Sequence, residues 1–156
     1  MVTTSVYWND KSNGGLLGGG QASEIVDEKT LALVDQLIKD YAYDGGNQED
    51  MMDAVTGIAG SSPAFMYMVI DAMADAGVLN GLSRADSIRL AAQSMLGAAK
   101  MVLETGKHPD VLRDEVCSPA GTTIVGVRAL EDGGLRPAMI DAVDSTIRKS
   151  REMGKR

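Results

Sequence analysis

The stretch PAFMYMVIDAMADA, residues 63 to 76, constrains this chain more than any other. At helical spacing its apolar residues Met66, Met68, Val69, Ile70, Ala72 and Met73 leave almost no polar stripe. A helix that is apolar nearly all round has to be covered on nearly all sides. The segments around it read as shorter helices, and 156 residues hold few of them. Their combined faces are too small to enclose it. The sequence therefore predicts a partner chain, most simply a second copy of itself.

From about residue 48 onward the reading is mainly α. The spacing predicts a short helix from Asp50 to Ile58, closed by AGSS. Ser62 followed by Pro63 reads as an N-cap and a first-turn proline that open the long apolar helix. Ser83, with Asp86 three residues on, resembles a capping box in which Asp replaces Glu, and it starts a helix running to about Glu104. Small residues line one side of that helix in LAAQSMLGAAKM, which suits close approach of another helix. HPDVLRDEV reads as one short helix led by Pro109. A break follows at Asp132-Gly133-Gly134, then a final amphipathic helix from about Arg136 to Met153.

The first part of the chain has a different texture. Residues 1 to 24 read as irregular, with NDKSNGGLLGGGQAS as a flexible linker. From Asp27 a helical face emerges in Leu31, Leu33, Val34, Leu37 and Ile38, and YAYDGGN looks extended before an Asp-Gly turn. Residues 4 to 46 thus form either a small β-α-β unit or a helix with ragged flanks. The division expected is a flexible N-terminal segment over 1–47 and a helical domain over 48–156.

Composition excludes several functions. Fifteen Lys and Arg stand against 22 Asp and Glu, a formal net charge of -7, so there is no basic footprint for nucleic acid. The basic tail IRKSREMGKR reads as the charged end of a helix. One cysteine, Cys117, allows no internal disulfide and fits a reducing compartment. No apolar run is long enough to span a membrane, and MVTTSVYWNDKSNGG does not follow the signal-peptide pattern. A soluble, cytoplasmic protein is expected.

The usual carriers of chemistry are sparse. Gly15, Gly18, Gly19 and Gly20 do not give the spacing of a dinucleotide or phosphate loop. The single histidine, His108, precedes a proline and reads as a solvated loop residue. Asp71 with Asp75, and Asp40 with Asp44, stand four apart without histidines, so solvated faces are expected rather than a metal site.

What remains is CSPAGTTIVGVRALE, residues 117 to 131. A helix starting near Gly121 turns its first free N–H groups toward Ser118-Pro119-Ala120. Those donors and the positive end of the helix dipole favour a small anion such as a carboxylate. Gly121 permits close approach to the backbone, and Ser118, Thr122 and Thr123 add hydroxyls. Equally, Ser118 is a plain N-cap and the threonines satisfy the first turn. Composition leaves both readings open.

HPDVLRDEVCSPAGTTIVGVRALEDGG is similar, nearly position by position, to the signature region of the pyrroline-5-carboxylate reductases. MDAVTGIAGSSPAFMYMVIDAMADAGVLNGLSRADSIRLAAQSMLGAAKMVLETG resembles the helices before it, so the resemblance covers about residues 48 to 154. The family usually writes SGSGPAY where Ala59 to Phe65 stand here, and SPGGTT or SPGGAT where Ser118-Pro119-Ala120-Gly121-Thr122-Thr123 stand. Residues 28 to 47 look more loosely like the last helix and strand of the family's nucleotide-binding domain.

The resemblance implies an all-helical homodimer, often assembled into larger oligomers, with a small cyclic imino acid bound at the dimer interface. It places Ser118, Ala120, Gly121, Thr122 and Thr123 around the substrate's carboxylate. It makes Thr123 the catalytic hydroxyl that hydrogen-bonds the ring nitrogen and donates its proton or orients it. The family takes its hydride from NADPH or NADH in a Rossmann domain with a glycine fingerprint. Residues 1–47 carry no such fingerprint, so this chain alone is not expected to bind the cofactor. Three readings follow: an enzyme homologue supplying dimerisation and half an active site, a dimerisation module without catalysis, and a module that retains proline affinity without turnover.

Overall fold

The computed structural model describes residues 48–154 and the helical positions Ala32, Leu33, Gln36, Leu37, Lys39 and Asp40. The helix expected from Asp27 is met at those six positions. The linker over 1–24 and the extended pieces of the β-α-β reading lie outside the described residues.

The described residues are helices joined by short turns, with no strand among them. Helix α1 is Gln48–Val55 and passes through a π-helical stretch, Thr56–Ser61, into α2, Ser62–Leu79. There follow α3 (Arg84–Thr105), α4 (Pro109–Val116), α5 (Thr122–Asp132) and α6 (Leu135–Gly154). Two compact units divide the chain, one built from residues up to Phe65 with Met139 onward, the other from Met66 to Ala138.

In the first unit, α1 and the π-helical stretch meet the later turns of α6. Met52, Val55 and Gly57 are buried there. Gly57 is required by proximity: a Cβ at that position would sit 2.6 Å from Ile147 Cγ1 and 3.4 Å from the Val143 carbonyl oxygen. A polar fringe closes the contact. Ser150 Oγ donates to Asp53 at 2.5 Å, and Arg151 reaches Asp50 at 3.5 Å and Asp53 at 3.8 Å. The basic tail of the sequence thus ties back onto α1.

The expected break at AGSS does not occur, and Ser62 is not an N-cap. Its backbone is helical (φ -62°, ψ -23°), and its hydroxyl donates back to the Ile58 carbonyl. The reason lies in Pro63, which has no N–H to offer the Ala59 carbonyl and whose ring crowds that turn. A wider i→i+5 turn immediately upstream relieves the crowding without ending the helix.

In the second unit, α2 and α3 form a hairpin. Gly81 takes φ +93° and the Leu82 N–H closes the turn on the Gly77 carbonyl at 3.0 Å. Ser83 caps α3 as its spacing predicts, accepting from the Asp86 N–H at 3.1 Å. Its hydroxyl also donates to Asp86 Oδ2 at 2.7 Å, which replaces the backbone half of a capping box. Arg84 bridges the turn to Asp75 at 2.6 Å and Asp71 at 3.9 Å, so that acidic pair serves an ion pair. Gly77 lets the helices close, since a Cβ there would lie 2.5 Å from Ser87 Oγ. Ser87 is buried, and its hydroxyl has no hydrogen-bond partner among the described residues. It borders an open apolar groove of about 360 Å³ with Met73, Leu82, Leu90 and Ala91.

The burial expected of the apolar helix is not achieved within one chain. In α2 Ala74 alone is buried, while Tyr67, Met68 and Leu79 are 66%, 71% and 86% exposed. Among the described residues the other helices leave these side chains uncovered.

Candidate functional site: the α4–α5 junction

The junction is built by two helix starts and a tight turn. His108 precedes α4, and its Nδ1 accepts the Asp110 N–H at 3.2 Å. The histidine read as a solvated loop residue is exposed, and it is also an N-cap. Cys117 ends α4 with its N–H on the Asp114 carbonyl at 3.1 Å, and its thiol is free.

The next residues turn sharply. The Gly121 N–H donates to the Ser118 carbonyl at 3.0 Å, and Ala120 sits in the left-handed region at φ +57°. Gly121 is the N-cap of α5 with extended backbone (φ -74°, ψ 169°), and no side chain caps the helix. Ser118 is therefore not the cap that the plain reading required. Gly121 is needed for space: a Cβ there would collide with Ser118 Oγ and lie 3.1 Å from the Ser118 carbonyl. Ser118, Ala120, Thr122 and Thr123 are exposed and Gly121 half-buried. Ser118 Oγ lies beside Gly121, Thr122 and Thr123 are exposed in the first turn of α5, and the first N–H groups of that helix lack a side-chain acceptor. That arrangement can receive a carboxylate.

Ala120 makes a testable point. A left-handed conformation costs an L-residue about 1–2 kcal/mol, and glycine avoids that cost. Glycine returns roughly 0.5–1 kcal/mol of it through the greater freedom of the unfolded chain. Ala120→Gly is expected to stabilise the protein by about 0.5–1 kcal/mol in denaturant unfolding. A lower midpoint would show that the alanine is not strained.

A charged cluster that sequence reasoning missed ties together the ends of α4 and α5 away from the turn. Asp110 Oδ1, in the first turn of α4, accepts from Arg113 Nη1 at 2.9 Å and Arg136 Nη2 at 3.3 Å. Arg136 Nε also donates to Glu131 Oε1 at 2.7 Å, at the end of α5. Arg113 holds Asp114 at 2.8 Å through Nη2. The hydrogen bond from Arg136, then the charge of Arg113, hold the Asp110 carboxyl below the ordinary aspartate range. Hydrogen bonds to Glu131 and Asp110 raise Arg136 further, and that to Asp114 raises Arg113. The available signal was an arginine in the first turn of α6, the end where the helix dipole disfavours a cation.

The described residues contain no cluster of His, Cys, Asp or Glu fit for a metal ion, and no helix long and apolar enough to cross a membrane. A nicotinamide dinucleotide needs a glycine turn between a strand and a helix beneath its pyrophosphate. The described residues, all helix and turn, do not form that cradle.

The described residues define an all-helical domain with an uncapped helix start, and comparison with known proteins says to which family it belongs. Residues 49–153 match the family described as pyrroline-5-carboxylate reductase dimerisation. The chain belongs to that family. It is 56% identical over 108 residues to the pyrroline-5-carboxylate reductase of Methanosarcina acetivorans, covering 69% of this chain and 40% of that protein. It is 53% identical over 107 residues to that of Escherichia coli, with 69% and 40% covered. A solved structure of Plasmodium falciparum pyrroline carboxylate reductase with NADP bound superposes with a TM-score of 0.65 at 33% identity, over 83% of this chain and 49% of that one. The chain spans about 40% of the length of these two curated relatives.

Proposed function

We propose that this chain supplies the dimerisation part and the carboxylate-binding junction of a pyrroline-5-carboxylate reductase. That enzyme is an oxidoreductase of proline biosynthesis, reducing 1-pyrroline-5-carboxylate to proline with NADPH or NADH. The observation that carries the proposal is the start of α5: Gly121 is its N-cap, and no side chain closes it.

The roles follow from chemistry. First-turn N–H groups and the Ser118 and Thr122 hydroxyls receive the substrate's carboxylate, with Ala120 and Gly121 shaping the turn. Thr123 donates its O–H to the ring nitrogen, which draws electron density from the C=N carbon. The reduced nicotinamide supplies the hydride in the whole enzyme. We expect no cofactor binding by this chain alone. The helical region, residues 48–156, forms a cytoplasmic homodimer that covers α2, and the dimers assemble further. A second reading, a dimerisation module without catalysis of its own, is favoured by the family match, which is to the dimerisation region.

Titration with proline, followed by ligand-observed NMR or calorimetry, tests the junction. Part of the pocket lies outside these residues, so the dissociation constant is expected no tighter than about millimolar, near -4 kcal/mol. Thr123→Val keeps the shape and removes the donor, and should weaken binding roughly tenfold, the equivalent of one hydrogen bond. Ser118→Ala should weaken it several-fold while changing stability by less than about 0.5 kcal/mol, because Ser118 caps nothing. Unchanged affinity in both variants would refute the assignment.

A further inference from the structure

The geometry points to Arg136 as a positioning residue that holds the α4–α5 junction in shape from outside it. The inference rests on the carboxylate-binding reading of that junction and adds a residue to it. The turn from Cys117 to Gly121 hangs between two helices, and its shape depends on how α4 and α5 are held apart. Arg136 touches both. Its Nη2 reaches Asp110 in the first turn of α4 at 3.3 Å, and its Nε reaches Glu131 in the last turn of α5 at 2.7 Å. Arg113 completes the tie from within α4, sharing Asp110 Oδ1 at 2.9 Å. One planar guanidinium thus spans two carboxylates on two elements, a task for which a lysine's single ammonium is poorly shaped.

The placement also breaks a local rule. A cation in the first turn of α6 opposes the helix dipole, and that turn carries no acidic residue of its own. Departures from local preference concentrate where tertiary function compensates them. The compensation here comes from Asp110 and Glu131. By contrast Arg128 pairs with Asp132 four residues on, within α5, at 3.4 Å. It links no second element and serves as the control.

Hydrogen exchange resolved by NMR decides the matter. The Gly121 amide, bonded to the Ser118 carbonyl, reports on the turn, the Cys117 amide, bonded to the Asp114 carbonyl, reports on its entry from α4, and the Leu82 amide reports on the distant α2–α3 turn. In Arg136→Met, exchange at Cys117 and Gly121 is expected to quicken about two- to five-fold, the scale of an exposed ionic network, with Leu82 unchanged. Arg136→Lys should restore part of the protection. Arg128→Met should change none of the three amides. High salt should shrink the difference between the parent and Arg136→Met, since exposed ion pairs are screened.

Proline titration of the same proteins links the tie to the site, with affinity falling by a similar factor in Arg136→Met. Faster exchange confined to the turn, with partial rescue by lysine, supports the proposal. Unchanged exchange at Cys117 and Gly121 overturns it, whatever proline does, and so does an equal change at Leu82. If the parent chain binds no proline, the carboxylate reading falls on that result, and the exchange data still decide the tie. If Arg136→Met fails to fold, Arg136→Lys against Arg128→Met makes the same comparison.

Discussion

Gly57→Leu is expected to destabilise the protein by about 2–3 kcal/mol, within the range for forcing volume into a packed contact. The first added carbon already falls 2.6 Å from Ile147 Cγ1 and 3.4 Å from the Val143 carbonyl oxygen. A flexible tip could swing aside, but Ile147 is β-branched and stiff at χ1. Alanine at the same position should cost less, because better helix propensity returns up to about 1 kcal/mol. For a domain of this size the leucine variant corresponds to a midpoint lower by roughly 10 °C or more. Combining it with Ile147→Ala should recover a large part of the loss, since the two side chains would occupy one space. Calorimetry on the two single variants and the double variant measures that coupling. Strict additivity would mean that the close approach of α6 to Gly57 does not exist in solution.

The second large effect is on concentration dependence. With Tyr67, Met68 and Leu79 mostly exposed in one chain, the proposed homodimer supplies the cover that the apolar helix lacks. Folding then follows mass action, and a hundredfold dilution removes about 2.7 kcal/mol of apparent stability per dimer. The midpoint should fall by roughly 5–10 °C over that range, a shift absent from a folded monomer. Sedimentation should return twice the 16.4 kDa chain mass at micromolar concentration. A stable monomer whose midpoint ignores dilution would refute the dimer.

Where the sequence was legible, the governing interactions are short in range. Ser83 caps α3 through an amide three residues away, so its role can be read from spacing alone. The glycine turn after Asp132 and the start of α4 at Pro109 are of the same kind. Ser62 misled for a related reason. Its Ser-Pro pair has the composition of a helix start, yet the preceding turns supplied a π-helical path that kept the helix running. Ser118 stayed open between a cap and a ligand contact, because its distance from the helix start is set by the turn at Ala120.

The sequence by itself determined the helical class, the excess of apolar surface on residues 63 to 76, and the family likeness of the 118–123 junction. These depend on periodicity, on caps and on residues adjacent along the chain, all of which act within about one helical turn. Only the tertiary structure decided that Gly57 faces Ile147, that Ser87 is buried beneath Gly77 without a partner among the described residues, and that Arg136 spans Asp110 and Glu131. Asp110 and Arg136 lie 26 residues apart, and Asp53 and Ser150 lie 97 apart. No local pattern encodes such pairs, because a charge or a glycine carries its meaning only when a distant element is folded against it.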